Sequence, residues 1–351
     1  MTANVLNITQ RPEPRQMERS VQEVERCMEQ VVRSASDGPL GEIVLEHLRT
    51  GGKRIRARLA LAAVAALGVP MDDGIGLAAA CEMLHNATLI HDDLQDGDRV
   101  RRGKPATWVA HGFEQAINAG DLLLMLPSLA LEHTRTSETI RWRISRTMNR
   151  LSCFTACGQS FEQSLQNRRK GVSWDEYTRA AEGKTGAFFS LPVEGAALVA
   201  GFTPHQARQL GETVAPLGLL FQIQDDVLDL YGDKGRAKRG NDIREGKLSA
   251  LVATHLELHP EDERRLLEVL HTPRDQTTDE QVSTIAHLFA LQGALEEVAN
   301  RAQRLFEELN RSAVLHEVPG LRTFVLKVAR DLFEPMRMAA EQPILPAVVN
   351  G

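Results

Sequence analysis

The sequence predicts an all-α fold, a single-domain helix bundle around a central cavity that holds the site. Three observations carry this. Apolar residues recur at helical spacing along most of the 351-residue chain, and no stretch of useful length alternates as a strand would. Two Asp-Asp-x-x-Asp elements, Asp92 to Asp96 and Asp225 to Asp229, each end an apolar helical run. Bundles build such sites from side chains on facing helices, so a pair of motifs on separate helices implies one cavity. No linker divides the chain, whose boundaries read as a polar segment 1–16, a helical domain 17–339 and a loose tail 340–351.

In order, a helix is predicted from about Gln16 to Ser34, a turn at Ser36-Asp-Gly-Pro39, and a helix from Gly41 to Arg49. Thr50-Gly-Gly-Lys-Arg-Ile-Arg56 opens an apolar helix reaching Leu67. Glycines there let backbone approach a ligand, and a helix N-terminus favours anions. Residues 74–95 form the helix of the first acidic motif, rich in small residues over Ala78 to Cys81. His85 lies two turns before Asp92 on the same face. A basic loop, Arg99 to Thr107, follows. Asn118 to Leu131 is apolar nearly all round, which suits a buried or interface helix kinked at Pro127. A helix over 139–167 carries Gln159. Ser173-Trp-Asp-Glu176 is a capping box, and the glycines of Gly183-Lys-Thr-Gly186 suggest a break. Helices from Thr203 to Leu210 and Gly211 to Leu230 precede a charged, glycine-rich loop to Asp242. Three or four further helices end near Ala339.

Composition narrows the class. Hydrophobic residues at 42% and charged residues at 25% are globular values, and a net charge of −6 argues against nucleic acid. Basic residues cluster locally at Lys53 to Arg58 and Arg99 to Lys104, which suits a small anion. Four cysteines give neither a disulfide framework nor zinc spacing, and Cys153 and Cys157 are expected as buried free thiols. No apolar run is long enough to span a membrane, and the first residues lack a signal-peptide pattern, so a cytoplasmic protein with no stable membrane insertion is expected.

The chemistry lies in the aspartates. Asp92 and Asp96 share a helix face, as do Asp225 and Asp229. Like charges at that spacing repel, and carboxylates suit a hard cation such as Mg2+. One such motif more often reads as a solvated acidic helix end; its recurrence favours cations holding a diphosphate.

Together with Gly51-Gly-Lys-Arg-Ile-Arg56, Arg101-Arg-Gly103, Lys184-Thr185, Phe221-Gln222 and Gly240-Asn-Asp242 through Lys247, the motifs stand in an order that resembles the trans-isoprenyl diphosphate synthases over residues 35–335. The resemblance to geranylgeranyl diphosphate synthases implies a prenyltransferase that condenses isopentenyl diphosphate with an allylic diphosphate. It implies that Asp92, Asp96, Asp225 and Asp229 hold Mg2+, three ions per site, with Mn2+ an alternative. Lys53, Arg56, His85 and Arg102 match the isopentenyl diphosphate pocket. Arg101, Lys184, Thr185, Gln222, Lys238 and Lys247 match the contacts to the allylic diphosphate, and Gln159 lies near the reacting carbons. Lys184 and Lys247 join the aspartates as catalytic groups, because stabilising the leaving diphosphate carries the reaction. A homodimer is implied too. The flap holding Lys238 is shorter than in some members, and the chain lacks their basic C-terminal tail.

Product length is set, in the resembled family, by side chains before the first motif. Ala87 and Thr88 are small, so a stop at farnesyl length is absent. Met83 and Leu84, about 5 Å deeper, would form a floor at geranylgeranyl length. Farnesyl or longer polyprenyl products are the alternatives. A metal-dependent phosphohydrolase would use His85 and His91-Asp92 but leaves the second motif unexplained. A non-catalytic synthase subunit would lack one motif, and a class I terpene cyclase would replace the second.

Overall fold

The computed structural model describes residues 13–168, 170–232 and 239–343. It is all-α apart from one two-residue hairpin. The helices are α1 (Pro14–Ala35), α2 (Pro39–Leu48), α3 (Ile55–Ala66), α4 (Ile75–Gln95), α5 (Thr107–His111), α6 (Phe113–Met125), α7 (Pro127–Ala130), α8 (Glu138–Asn167), α9 (Trp174–Ala181), α10 (Ala187–Val199), α11 (Pro204–Val214), α12 (Pro216–Tyr231), α13 (Asn241–Arg244), α14 (Ala250–Leu258), α15 (Glu263–Leu270), α16 (Asp279–Leu291), α17 (Ala294–Arg311), α18 (Ala313–His316) and α19 (Pro319–Glu341). Strands β1 (Val100–Arg101) and β2 (Lys104–Pro105) pair antiparallel between α4 and α5.

The chain divides into two compact units. One comprises the chain to Ser152 with 188–214 and 313–325; the other comprises 153–187, 215–312 and the chain from 326. In the first, α4 is the central element, packed on α1, α3 and α6. Its small residues Ala78, Ala79 and Ala80 are fully buried, as are Leu59 to Val64 of α3 apart from a trace at Ala62. In the second, α12 packs against α9, α14 and α17. At the last residue of that helix the Tyr231 hydroxyl donates to the Ala286 carbonyl at 2.7 Å.

Several expectations change. α1 begins at Pro14, because proline at the first turn loses only a donor that a helix start leaves unpaired anyway. Pro127 does not kink a helix from 118 to 131; it opens the separate short α7 after α6 ends at Met125. The glycines at 183–186 do not break the chain. They fall in a π turn, Glu182–Gly186, that carries α9 into α10. Cys153 and Cys157 are free as expected but exposed, whereas Cys27 and Cys81 are buried. The first two lie four apart on α8, so one helix face takes both to the surface.

Candidate active site

Asp92 and Asp96 lie at the C-terminal end of α4, where the Asp96 N–H donates to the Asp92 carbonyl. Both are half-buried. Carboxylates at this end face the negative pole of the helix dipole, so the position calls for cations. The hairpin supplies them. Its turn residues, Arg102 at φ 53° and Gly103 at φ 76°, have the left-handed geometry of a two-residue type I′ turn. Arg101, on the strand, donates from Nε to Asp93 at 2.8 Å, and its Nη2 bonds the same oxygen. Arg102, at the tip, donates to Thr50 Oγ1 at 3.3 Å and to the Gly51 carbonyl. Gly52 sits at φ 128°, a backbone conformation that side chains rarely adopt, and a Cβ there would make the Arg102 guanidinium, 2.8 Å away, shift.

The same loop carries Lys53 and Arg56. Lys53 is exposed. Arg56 is buried, its guanidinium 5.0 Å from the centre of the Phe189 ring. Burial lowers its pKa to about 10 against the opposing pull of Glu82, so it stays charged at neutral pH. His85 packs edge-on against Phe188 at 5.6 Å. Burial, then Arg56, Arg102 and Arg101, push its pKa well below the usual histidine range. A neutral imidazole among guanidiniums can donate one hydrogen bond and accept another. The structure therefore brings Lys53, Arg56, His85 and Arg102 into one region, with Asp92 farther along α4.

The second region is built on the π turn. A Cβ on Gly158 of α8 would run into the backbone of Gly183 and Lys184, and one on Gly218 of α12 would lie 2.6 Å from Gly186 Cα. Two helices thus grip the turn that bears Lys184 and Thr185. From there a chain of hydrogen bonds leads into the motif. Thr185 Oγ1 donates to Gln222 Oε1 at 3.4 Å, and Gln222 Nε2 donates to Asp226 Oδ1 at 3.0 Å. Asp226 Oδ2 accepts from the Tyr177 hydroxyl at 2.8 Å and the Ala250 N–H at 2.7 Å. Burial outweighs these donors and raises the Asp226 pKa to about 6. Asp229 is buried and accepts the Asp242 N–H at 3.0 Å, while Asp225 is half-buried.

The lysines here have acidic neighbours. Lys184 pairs with Glu162 at 2.8 Å, and Lys247 with Glu245 at 2.8 Å and Asp242 at 3.7 Å. Gln159 is half-buried beside Gly158 on α8. Lys238 lies outside the described residues.

Among the described residues no three His, Cys, Asp or Glu side chains form a ready-made metal cage. Mg2+ does not need one, since it is held by one or two carboxylates with waters and substrate phosphates. The pairs Asp92/Asp96 and Asp225/Asp229 fit that donor set.

The profile of the polyprenyl synthetase family matches residues 39–289, a span that includes both acidic motifs, the hairpin and the π turn. The chain belongs to the polyprenyl synthetase family. It is 34% identical over 291 residues to a short chain isoprenyl diphosphate synthase of Methanothermobacter thermautotrophicus, covering 80% of this chain and 88% of that one. It is 32% identical over 286 residues to the geranylgeranyl diphosphate synthase of Methanosarcina mazei, covering 80% and 84%. Its fold matches a decaprenyl diphosphate synthase of Rhodobacter capsulatus with a TM-score of 0.79 at 28% identity, covering 92% and 97%. Proteins of this family with quite different product names therefore share the scaffold.

Of the positions expected to set product length, Ala87 and Met83 are fully buried, Leu84 nearly so, and Thr88 half-buried.

Asp93, Asp226, Tyr177, Glu162, Glu245 and Glu82 lie outside the set of site residues expected from the sequence. The first two were visible inside the motifs. A residue next to an outer aspartate turns about 100° into the core, and that offset is the signal that could have found them.

Proposed function

We propose that the chain is a prenyltransferase that condenses isopentenyl diphosphate with an allylic diphosphate to give an all-trans prenyl diphosphate, geranylgeranyl diphosphate favoured. The observation that carries the reading is the first region. A glycine loop and a hairpin tip place Arg56 and Arg102 beside His85, which lies on the helix that goes on to end in paired carboxylates. Such a cradle suits a diphosphate.

In this reading Lys53, Arg56, His85 and Arg102 hold the isopentenyl diphosphate. Arg101, Lys184, Thr185, Gln222 and Lys247 bind the allylic diphosphate, Lys238 joins them, and Gln159 lines the reacting carbons. Asp92, Asp96, Asp225 and Asp229 hold Mg2+. When bound, the ions withdraw charge from the diphosphate oxygens. Lys184 and Lys247 exchange Glu162 and Glu245 for those oxygens as charge builds on the leaving group. Ala87 and Thr88 leave room for a chain beyond farnesyl length, and Met83 and Leu84 supply the floor.

We also propose a homodimer. Phe113, Ile117, Leu124 and Met125 of α6 and Leu129 of α7 are exposed, and an apolar face of that kind suits a two-fold helix interface. A cytoplasmic location belongs to the same reading; among the described residues no helix is long and apolar enough to cross a membrane.

The test is to incubate the purified chain with isopentenyl diphosphate, Mg2+ and allylic primers of increasing length, and to read product length by chromatography. Geranylgeranyl diphosphate is expected. Absence of condensation with every primer overturns the reading.

A further inference from the structure

Glu82 belongs to neither motif, yet it is 2% exposed in the middle of α4. It accepts the backbone N–H of Ala57 at 3.0 Å, one of the donors that the start of α3 leaves without a helical partner. Its other oxygen lies 3.9 Å from Nη1 of Arg54. Arg54 is itself 6% exposed and sits at φ 49°, a left-handed conformation that a side chain rarely adopts. Arg54 Nη2 donates to the Leu48 carbonyl at 2.7 Å, and its Nε to Glu25 at 3.0 Å. The guanidinium therefore ties the start of the glycine loop to its end, and Glu82 ties that end to α4. Lys53 stands immediately before Arg54, and Arg56 two residues after it. The Glu82 charge also reaches Arg56, whose pKa it supports against burial.

We propose that Glu82 and Arg54 are positioning residues for the isopentenyl diphosphate site, fixing the conformation in which the Gly51–Arg56 loop receives a diphosphate. This rests on the functional reading above. Two effects of removing the Glu82 charge oppose each other. A site governed by net charge alone becomes more cationic and binds the anion more tightly. A site governed by positioning loses the lock on Arg54 and binds it more weakly. The buried geometry favours the second, because Nη1 then loses the carboxylate that faces it while only the Nε side keeps one, at Glu25, and a buried guanidinium so unbalanced shifts and takes the loop with it.

The experiment uses the full chain and the variants Glu82→Gln and Arg54→Lys. Gln keeps an acceptor for the Ala57 N–H, and Lys keeps the charge but lacks the fork that spans Leu48 and Glu25. In steady-state assays each variant is expected to raise KM for isopentenyl diphosphate about tenfold, with kcat and the allylic KM within about twofold. Calorimetric titration with isopentenyl diphosphate should show the same weakening without turnover. That readout holds even if no primer is condensed, so failure of the enzyme reading is distinguishable from failure of this one. Tighter or unchanged isopentenyl diphosphate binding in Glu82→Gln overturns the proposal. So does an equal rise in both KM values, which a general loss of structure would give.

Discussion

In the first acidic motif the middle aspartate, Asp93, meets a guanidinium. In the second, Asp226 meets a phenol, an amide and a backbone N–H. The spacing of the motifs is the same, but the support differs in kind. Asp93 is fully buried, and burial raises its pKa against the pull of Arg101. Arg101 also belongs to the set proposed to bind the allylic diphosphate, so support and binding meet in one side chain. In the second region they overlap only at Gln222, which is neutral. Tyr177 and Ala250 hold the motif, while Lys184 and Lys247 rest on Glu162 and Glu245. A motif braced by a charge should therefore be sensitive to neutralisation, and one braced by neutral donors should tolerate it.

The largest effect should come where the two regions are equivalent. Asp92→Ala and Asp225→Ala should each lower turnover by about a thousandfold or more, since each removes a carboxylate of the proposed cation sites. Circular dichroism should remain helical. EDTA should abolish wild-type activity, and turnover that persists in EDTA breaks the equivalence.

The middle aspartates separate the regions. Asp93→Asn leaves the Arg101 guanidinium facing a neutral amide and should cost about 2–4 kcal/mol in denaturant unfolding, below the full buried-pair figure because Arg101 retains some exposure. Asp226→Asn keeps an oxygen for Tyr177 and Ala250, and the Gln222 amide can turn to accept. Its cost should stay within about 1 kcal/mol. Equal losses would mean that the charge on Arg101 is not what braces the first motif.

Product length tests the first region alone. Ala87→Phe should shorten the product to farnesyl diphosphate, and replacing Met83 and Leu84 together by Ala should lengthen it, as read by chromatography of the dephosphorylated products. An unchanged product from Ala87→Phe would place the limit on another helix.

The smallest effect is a pH slope from one buried histidine of the first region. His47 is buried beneath the hairpin, with the Thr107 hydroxyl 3.3 Å from its Nδ1. Burial, then Arg102 and Arg101, lower its pKa to about 3. The folded chain stays neutral there while the unfolded chain takes a proton near pH 6.5. Stability from this group is thus full above about pH 6.5 and falls with pH by up to about 1.4 kcal/mol per unit. His47→Gln should flatten the decline in Tm between pH 6.5 and 5. A slope unchanged by that substitution would remove His47 as its source.

The sequence by itself determined the all-α class, the helix order, the outer aspartates and the capping box at Ser173, which the structure contains in full. These depend on periodicity and on contacts three or four residues apart, so a linear reading reaches them. The tertiary structure decided the rest. Asp226 finds Tyr177 across 49 positions, and Glu82 finds Ala57 across 25. The tip of the hairpin at Arg102 meets a loop 51 positions away. Gly183 and Gly186 became part of a π turn rather than a break because Gly158 and Gly218 brought two other helices against it. Burial and hydrogen bonding between remote segments set these outcomes, and the local pattern carries no record of which partner will arrive.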